Sequence, residues 1–253
     1  MTIPLDDRGL LLGDGLFETL LAVNGVVDQL DAHLDRLAAG CAVLGLPQPD
    51  RPAATDAVMQ AVSERSEPHL AVRLTLTAGS GGRGLDRPAP ATPTLLASAA
   101  PSPKVEGAAR LMIAATRRNA DSASSRVKSL SYLDNILARR EARAAGADEA
   151  VMLNGRGEVA CATAANLFWI MGDQLHTPAL ECGVLAGIMR GRVLTLAHSL
   201  GIAAREVRST ADVLAQADAV FLTNSLIGVR RTIGLGAETG PHPMVERLSR
   251  ALP

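Results

Sequence analysis

The chain carries 25 lysines and arginines, and only Lys104 and Lys128 are lysine. A guanidinium stays protonated and is a poor nucleophile. An ammonium can lose its proton when desolvated and then condense with a carbonyl. In a sequence that writes arginine for almost every surface cation, a retained lysine points to amine chemistry. Lys104 sits in Pro101-Ser-Pro-Lys104, which reads as an exposed linker. Lys128 sits in Arg126-Val-Lys128-Ser-Leu, ahead of an amphipathic segment, and is the candidate catalytic amine. The competing reading makes both lysines ordinary surface charges.

Three backbone-rich turns are suited to an anion. In Gly183-Val-Leu-Ala-Gly-Ile-Met-Arg190 a glycine-flanked turn feeds a helix, whose first N–H groups and dipole favour a phosphate. Leu222-Thr-Asn-Ser225 is a hydroxyl-rich turn after a strand, and Gly79–Gly84 is a glycine-rich loop carrying Arg83. Arg36, in His33-Leu-Asp-Arg36-Leu, could contact a phosphate as a charged fork. The alternative for each turn is plain chain punctuation, and for Arg36 a solvated place on the outer face of a helix.

Other chemistries are disfavoured. Cys41, Cys161 and Cys182 are odd in number without metal-ligand spacing, and read as reduced thiols of a cytoplasmic protein. The five histidines are scattered, so no metal site is expected. Net charge is −1 and aromatics are 2%, which gives no basic patch or stacking platform for nucleic acid. The first residues do not read as a signal peptide, and no apolar run is long enough for a membrane span.

The elements that must position these residues alternate between strand and helix. Leu16–Val23 reads as a strand, Asn24-Gly25 as a tight turn, and Val26-Val27 as its hairpin partner. Leu30 to Leu44 has helical spacing, with Gly45 as its stop. Asp50–Ser66 is a second helix and Leu70–Thr77 a strand, and Thr94–Ser98 is a short strand. Then come strand Arg110–Ala115, helix Leu130–Ala145 and strands Glu149–Leu153, Glu158–Cys161 and Leu167–Met171. Helix Leu185–Leu200 and strand Ala219–Leu222 follow. The expectation is a two-domain α+β protein: residues 1–98, a linker 99–107, and a second domain 108–253 that carries Lys128.

Placed in order, the fragments resemble a known family. Asp7-Arg-Gly-Leu-Leu-Leu-Gly-Asp-Gly-Leu-Phe-Glu-Thr19 is similar to the opening of the fold-type IV pyridoxal-phosphate enzymes. That family holds branched-chain and D-amino-acid aminotransferases and 4-amino-4-deoxychorismate lyase. Segments His33–Leu37, Lys128–Asn135, Asp148–Asn154, Ala164–Trp169, Leu185–Arg190 and Phe221–Ser225 follow in family order. The resemblance implies pyridoxal 5'-phosphate held by Lys128, with Arg36, Gly187, Ile188, Met189, Thr223 and Asn224 around it. It also implies a homodimer acting on a small amine, with Arg83 at a substrate carboxylate. Ser80-Gly-Gly-Arg-Gly84, Ala164–Trp169 and Gly187-Ile-Met-Arg190 look more like the lyase than the aminotransferases. The rivals are an aminotransferase for branched-chain or D-amino acids, and a binding protein without catalysis.

One position departs from the family pattern. The family places a glutamate five residues before the Asn of the Ala-Asn-Leu-Phe segment, where it keeps the cofactor's pyridine nitrogen protonated. Here that position is Cys161, counted from Asn166. Glu158 lies three residues earlier, which on a regular strand faces the other side unless a bulge intervenes. A thiol in that place weakens the electron sink. The departure favours elimination with aromatisation over transamination, and leaves room for a family member with altered chemistry.

Overall fold

The computed structural model describes residues 3–102, 105–235 and 241–252, so Lys104 and its linker reading lie outside the described residues. The chain divides into two compact units, Met1–Lys104 with Val127–Ser131, and Val105–Arg126 with Tyr132–Pro253. Among the described residues no helix is long and apolar enough to cross a membrane, and no cluster of His, Cys, Asp and Glu could hold a metal.

The first unit contains α1 (Arg8–Leu12), β1 (Gly15–Val23), β2 (Val26–Val27), α2 (Leu30–Leu44), α3 (Arg51–Ser63), β3 (His69–Thr77) and β4 (Thr94–Pro101). Asn24 and Gly25 both take positive φ, 50° and 80°, as a two-residue hairpin turn needs. Gly45 ends α2 at φ 64°, and Asp50 caps α3 by accepting from the Ala53 N–H. The sheet order is β2-β1-β3-β4, antiparallel throughout. Alternation along β1 sends Leu16, Leu20 and Ala22 into one core with Leu34 and Leu37 of α2 and Val58 of α3.

Two boundaries differ from the sequence reading. Ala99–Pro101, assigned to the linker, continues β4: Ala99 pairs with Val72 and Pro101 with Leu70, and Leu95, Ala97 and Ala99 pack on the core. An uncharged Pro/Ala stretch looks like a linker, but its every second residue covers apolar surface. The Lys128 segment, assigned to the second domain, groups with the first unit. Phe17 N–H donates to the Lys128 carbonyl (2.9 Å), Leu130 N–H donates to the Gly15 carbonyl (2.9 Å), and Ser129 faces Leu16. Val127 enters the same core. These pairings bind residues 128–130 to the edge of β1 as a short antiparallel strand.

The second unit holds β5 (Ala109–Ile113), α4 (Ala123–Arg126), α5 (Leu133–Ala144), β6 (Glu149–Leu153), β7 (Val159–Ala162), β8 (Asn166–Met171) and β9 (Gln174–Pro178). It continues with α6 (Ile188–Ser199), β10 (Ala203–Val207), α7 (Asp212–Gln216), β11 (Ala219–Asn224), β12 (Gly228–Ile233) and α8 (Pro243–Arg250). These strands form an eight-stranded mixed sheet of order β10-β9-β8-β11-β12-β5-β6-β7. The rings of Phe168 and Phe221 stack at 5.1 Å in the cluster that also takes Val193 of α6 and Val245 and Leu248 of α8. Between β6 and β7 the register shifts: Leu153 faces Val159 while Met152 faces Cys161. Ala160 is the extra residue of a bulge, and both Ala160 and Cys161 join the cluster around Ala138, Ala142 and Met152.

Candidate functional site

In the first unit, the alternation of β1 separates two constellations. Glu18 points toward α2 and is 1% exposed, as is His33. The Glu18 carboxylate accepts from Arg36 Nε (2.9 Å) and Nη2 (2.5 Å), and His33 Nδ1 lies 2.7 Å from it. Burial pushes the Glu18 carboxyl up, but the bonds from Arg36 and then His33 outweigh it and hold the group below its usual range. Arg36 is thus a fixed fork over a buried carboxylate, not a solvated cation on the outer face of α2.

Phe17, the neighbour of Glu18, points to the opposite face. Lys128, paired with it on the edge segment, sends Nζ to 4.1 Å from the ring centroid. The Arg73 guanidinium of β3 lies 3.8 Å from the same centroid. Arg73 escaped the sequence reading. Its signal was available, since in the β1–β3 register Arg73 faces Thr19, one step along the strand face from Phe17.

Arg83 is exposed in the glycine-rich loop. The base of that loop is built by residues whose roles the sequence left unassigned. The buried Arg8 donates to the carbonyls of Leu85 (2.8 Å) and Asp86 (2.9 Å) and pairs with Asp14. Arg87 grips the same carboxylate through Nε and Nη2. Its hydrogen bond is the largest influence that holds Asp14 below the ordinary carboxyl range. Asp7, wholly buried, accepts from the Gly9 N–H and from the hydroxyls of Thr77 and Thr94. The Asp7-Arg8-Gly9 motif therefore works as loop architecture.

In the second unit, α6 begins at Ile188, three residues later than expected. Gly187 occupies its N-cap at φ −70° and offers no side-chain acceptor, so the first-turn N–H groups, among them those of Ile188 and Met189, are uncapped. The Met189 side chain is buried. Asn166 Nδ2 donates to the Leu185 carbonyl (3.0 Å), and a methyl group at Gly187 would collide with Asn166 Oδ1. Asn166 in turn faces Thr223 in the β8–β11 register. The Thr223 hydroxyl is fully buried and has no hydrogen-bond partner among the described residues. An uncapped helix start and an orphaned hydroxyl thus flank one asparagine. The Asn224 side chain is engaged within the turn. Its amide donates to the Ala164 carbonyl, and its oxygen accepts from the N–H groups of Leu226 and Ile227. Its side chain shapes the β11–β12 turn.

Cys161 is buried, and burial raises its thiol above the ordinary range. The bulge that the register argument set aside is present, yet it does not bring Glu158 into Cys161's place. Glu158 is held by Asn154, Arg156 and Arg208, and is pushed down to about 2, chiefly by the Asn154 hydrogen bond. Glu149 accepts from the Thr163 N–H and hydroxyl and pairs with Arg139 at 2.8 Å. Both carboxylates are committed within the protein.

A family model described as amino-transferase class IV matches residues 15–232. Among named relatives, a Methanocaldococcus jannaschii protein with the provisional name of branched-chain-amino-acid aminotransferase is 34% identical over 227 residues, 88% of this chain and 79% of its own. The aminodeoxychorismate lyase of Vibrio harveyi is 30% identical over 240 residues, 93% of this chain and 88% of its own. Among solved structures, the 4-amino-4-deoxychorismate lyase of Pseudomonas aeruginosa superposes with a TM-score of 0.90 at 31% identity, covering 99% of this chain and 94% of that one.

Proposed function

The chain belongs to the amino-transferase class IV family, and from that premise we propose that it is a lyase that releases pyruvate from 4-amino-4-deoxychorismate and leaves p-aminobenzoate. Enzymes of this family depend on pyridoxal phosphate and act on small molecules. The residues present fit that group. A phosphate needs donors, and the start of α6 without a side-chain cap and the Thr223 hydroxyl without a partner among the described residues offer them.

When bound, pyridoxal phosphate supplies an aldehyde for amines and a ring that withdraws electrons from the amine-bearing carbon. The chain supplies the rest. Lys128 is the amine that would hold the cofactor and that would carry the proton from the amine-bearing carbon of the substrate. Gly187, the Ile188 and Met189 N–H groups and Thr223 would hold the phosphate, a role that the family pattern also gives to Arg36, and Asn224 keeps the β11–β12 turn in shape. Arg83 receives a substrate carboxylate. Cys161 is the residue that would lie at the ring nitrogen in the family pattern.

The observation that carries the lyase reading is the environment of Cys161. The thiol is raised rather than lowered, and neither Glu149 nor Glu158 has oxygens to spare. With both committed elsewhere, neither is on hand to keep the ring nitrogen protonated. Elimination tolerates this, because the departing enolpyruvate and the forming aromatic ring take up the charge. The lyase relatives from Vibrio harveyi and Pseudomonas aeruginosa support the same reading. One observation favours an aminotransferase for branched-chain amino acids instead, the 34% identity to the Methanocaldococcus jannaschii relative.

The test is an assay of the cofactor-loaded protein with 4-amino-4-deoxychorismate, beside a panel of L- and D-amino acids with 2-oxoglutarate. Pyruvate and p-aminobenzoate in equal amounts are expected. Keto-acid formation from the amino acids, without pyruvate release, would hand the protein to the aminotransferases.

The chain also acts as a homodimer in this reading. On α5, Leu133, Ile136 and Leu137 are 65%, 54% and 39% exposed and share one helix face. Leu10, Leu11 and Leu12 of α1 are exposed as well.

A further inference from the structure

Arg118 is a buried cation with no carboxylate beside it among the described residues. The residue is 7% exposed, and its backbone is pinned to the end of β6, with its N–H donating to the Leu153 carbonyl at 2.8 Å. Its guanidinium donates to three oxygens on three separate segments. Nε reaches the Gly183 carbonyl (3.1 Å), Nη1 the Asn135 Oδ1 (3.0 Å) and Nη2 the Ser125 carbonyl (2.6 Å). Burying a charge without a counter-charge is costly. A packing role alone would be filled more cheaply by an apolar side chain.

The three segments are the ones that lead to the cofactor-holding residues. Gly183 opens the extended run to Gly187 and the α6 N-terminus. Gly183 itself has φ 86°, and a Cβ there would fall 2.7 Å from the Ala120 backbone, so the run starts at a point of forced close approach. Asn135, buried in α5, passes the linkage on: its Nδ2 donates to the Thr163 carbonyl (2.8 Å), two residues after Cys161. Ser125 lies three residues before Lys128 in the chain. One planar fork fixes the approach to the α6 N-terminus, the turn after Cys161 and the stretch that ends at Ser125.

We propose that Arg118, acting through Asn135 and Gly183, is a positioning residue of the cofactor site. This inference rests on the pyridoxal-phosphate reading above. The fork geometry, rather than the charge, is what the site needs. Lysine also has three N–H donors, but they sit on one nitrogen and cannot reproduce a planar fork whose three nitrogens meet three divergent oxygens.

The test compares the wild-type protein, Arg118→Lys and Asn135→Ala, each freed of cofactor. Folding is checked by circular dichroism. Pyridoxal phosphate is then titrated by absorbance, and the melting temperature is followed with and without inorganic phosphate. Both variants are expected to keep the wild-type spectrum and to bind pyridoxal phosphate at least ten-fold more weakly. They should also lose most of the rise in melting temperature that inorganic phosphate gives the wild type. Melting temperatures that fall while cofactor affinity and the phosphate response stay at wild-type levels would reduce Arg118 to a structural residue and overturn the proposal. If Arg118→Lys does not fold, Asn135→Ala decides the matter by the same two readouts. A wild-type protein that bound neither molecule would instead refute the cofactor reading itself.

Discussion

The amine of Lys128 rests against the ring of Phe17, with Nζ 4.1 Å from the centroid. Residues 111 positions apart in sequence meet because the 128–130 segment pairs with the edge of β1, whose Phe17 N–H donates to the Lys128 carbonyl. The ring face attracts the ammonium, while the apolar surface costs it hydration. Lys128→Arg should preserve the fold and the charge, but guanidinium does not condense with an aldehyde. Borohydride reduction with pyridoxal phosphate should label the Lys128 peptide of the wild type and leave the variant unlabelled and inactive. Label on Lys104 instead, with activity kept in Lys128→Arg, would move the chemistry there.

Arg36→Ala should weaken cofactor binding by about 2–3 kcal/mol, the scale for hydrogen bonds to a charged group. The same change strands the buried Glu18 with His33 alone. Glu18 is held below its ordinary value of 4.5 in the folded state, so its paired carboxylate stabilises the fold above that pH, and the contribution fades as pH falls through the depressed value. The stability gap between wild type and Arg36→Ala should shrink on acidification, because the stranded Glu18 of the variant takes up a proton at higher pH than the paired Glu18 of the wild type. Thermal melts from about pH 7 to about pH 3 bracket that loss. A gap that widens on acidification would contradict the pairing.

Thr223→Val separates an anion-binding hydroxyl from a structural one. The hydroxyl has no partner among the described residues, so its removal should leave the melting temperature of the cofactor-free protein unchanged or raised. Affinity for pyridoxal phosphate and for inorganic phosphate should fall by about ten-fold, as for a lost hydrogen bond to a charged group. A destabilised variant with intact affinity would mean that the hydroxyl serves the fold.

Cys161→Glu restores a carboxylate where the family pattern has one. Side transamination should rise relative to pyruvate release when 4-amino-4-deoxychorismate and amino acids are offered together. The new carboxylate would sit near Arg118, which already favours negative charge at this position. An unchanged product ratio in a folded variant would remove Cys161 from the ring nitrogen, and with it the electronic case for the lyase.

Ile136→Asp places a charge in the middle of the exposed apolar face of α5. Light scattering is expected to find the wild type as a dimer and the variant shifted to monomer. A wild-type monomer with full activity would refute the assembly.

Where one periodicity governed a segment, the sequence was legible. Leu30–Leu44 is a helix over the expected residues, because its apolar spacing and Gly45 agree, and Glu149–Leu153 is a strand with every residue buried. The misses share a cause, a backbone claimed by a distant partner. Helix α5 starts at Leu133 instead of Leu130 because residues 128–130 are spent on β1. Helix α6 starts at Ile188 because Arg118 and Asn166 hold Gly183 and Leu185 by their carbonyls. Residue type alone made Lys128 and Arg36 candidates. The roles of Asn224, Arg8 and Arg118 were not legible that way, since each depends on carbonyls that no side-chain pattern records.

The edge pairing of β1 also sets an order of events during synthesis. Residues 15–17 leave the ribosome more than a hundred residues before 128–130, and until then that edge has no partner and the place of Val127 in the core is unfilled. The strand that completes the first unit is the one that brings the amine. A nascent or truncated chain that lacks it is unfinished as a fold and also lacks Lys128 itself.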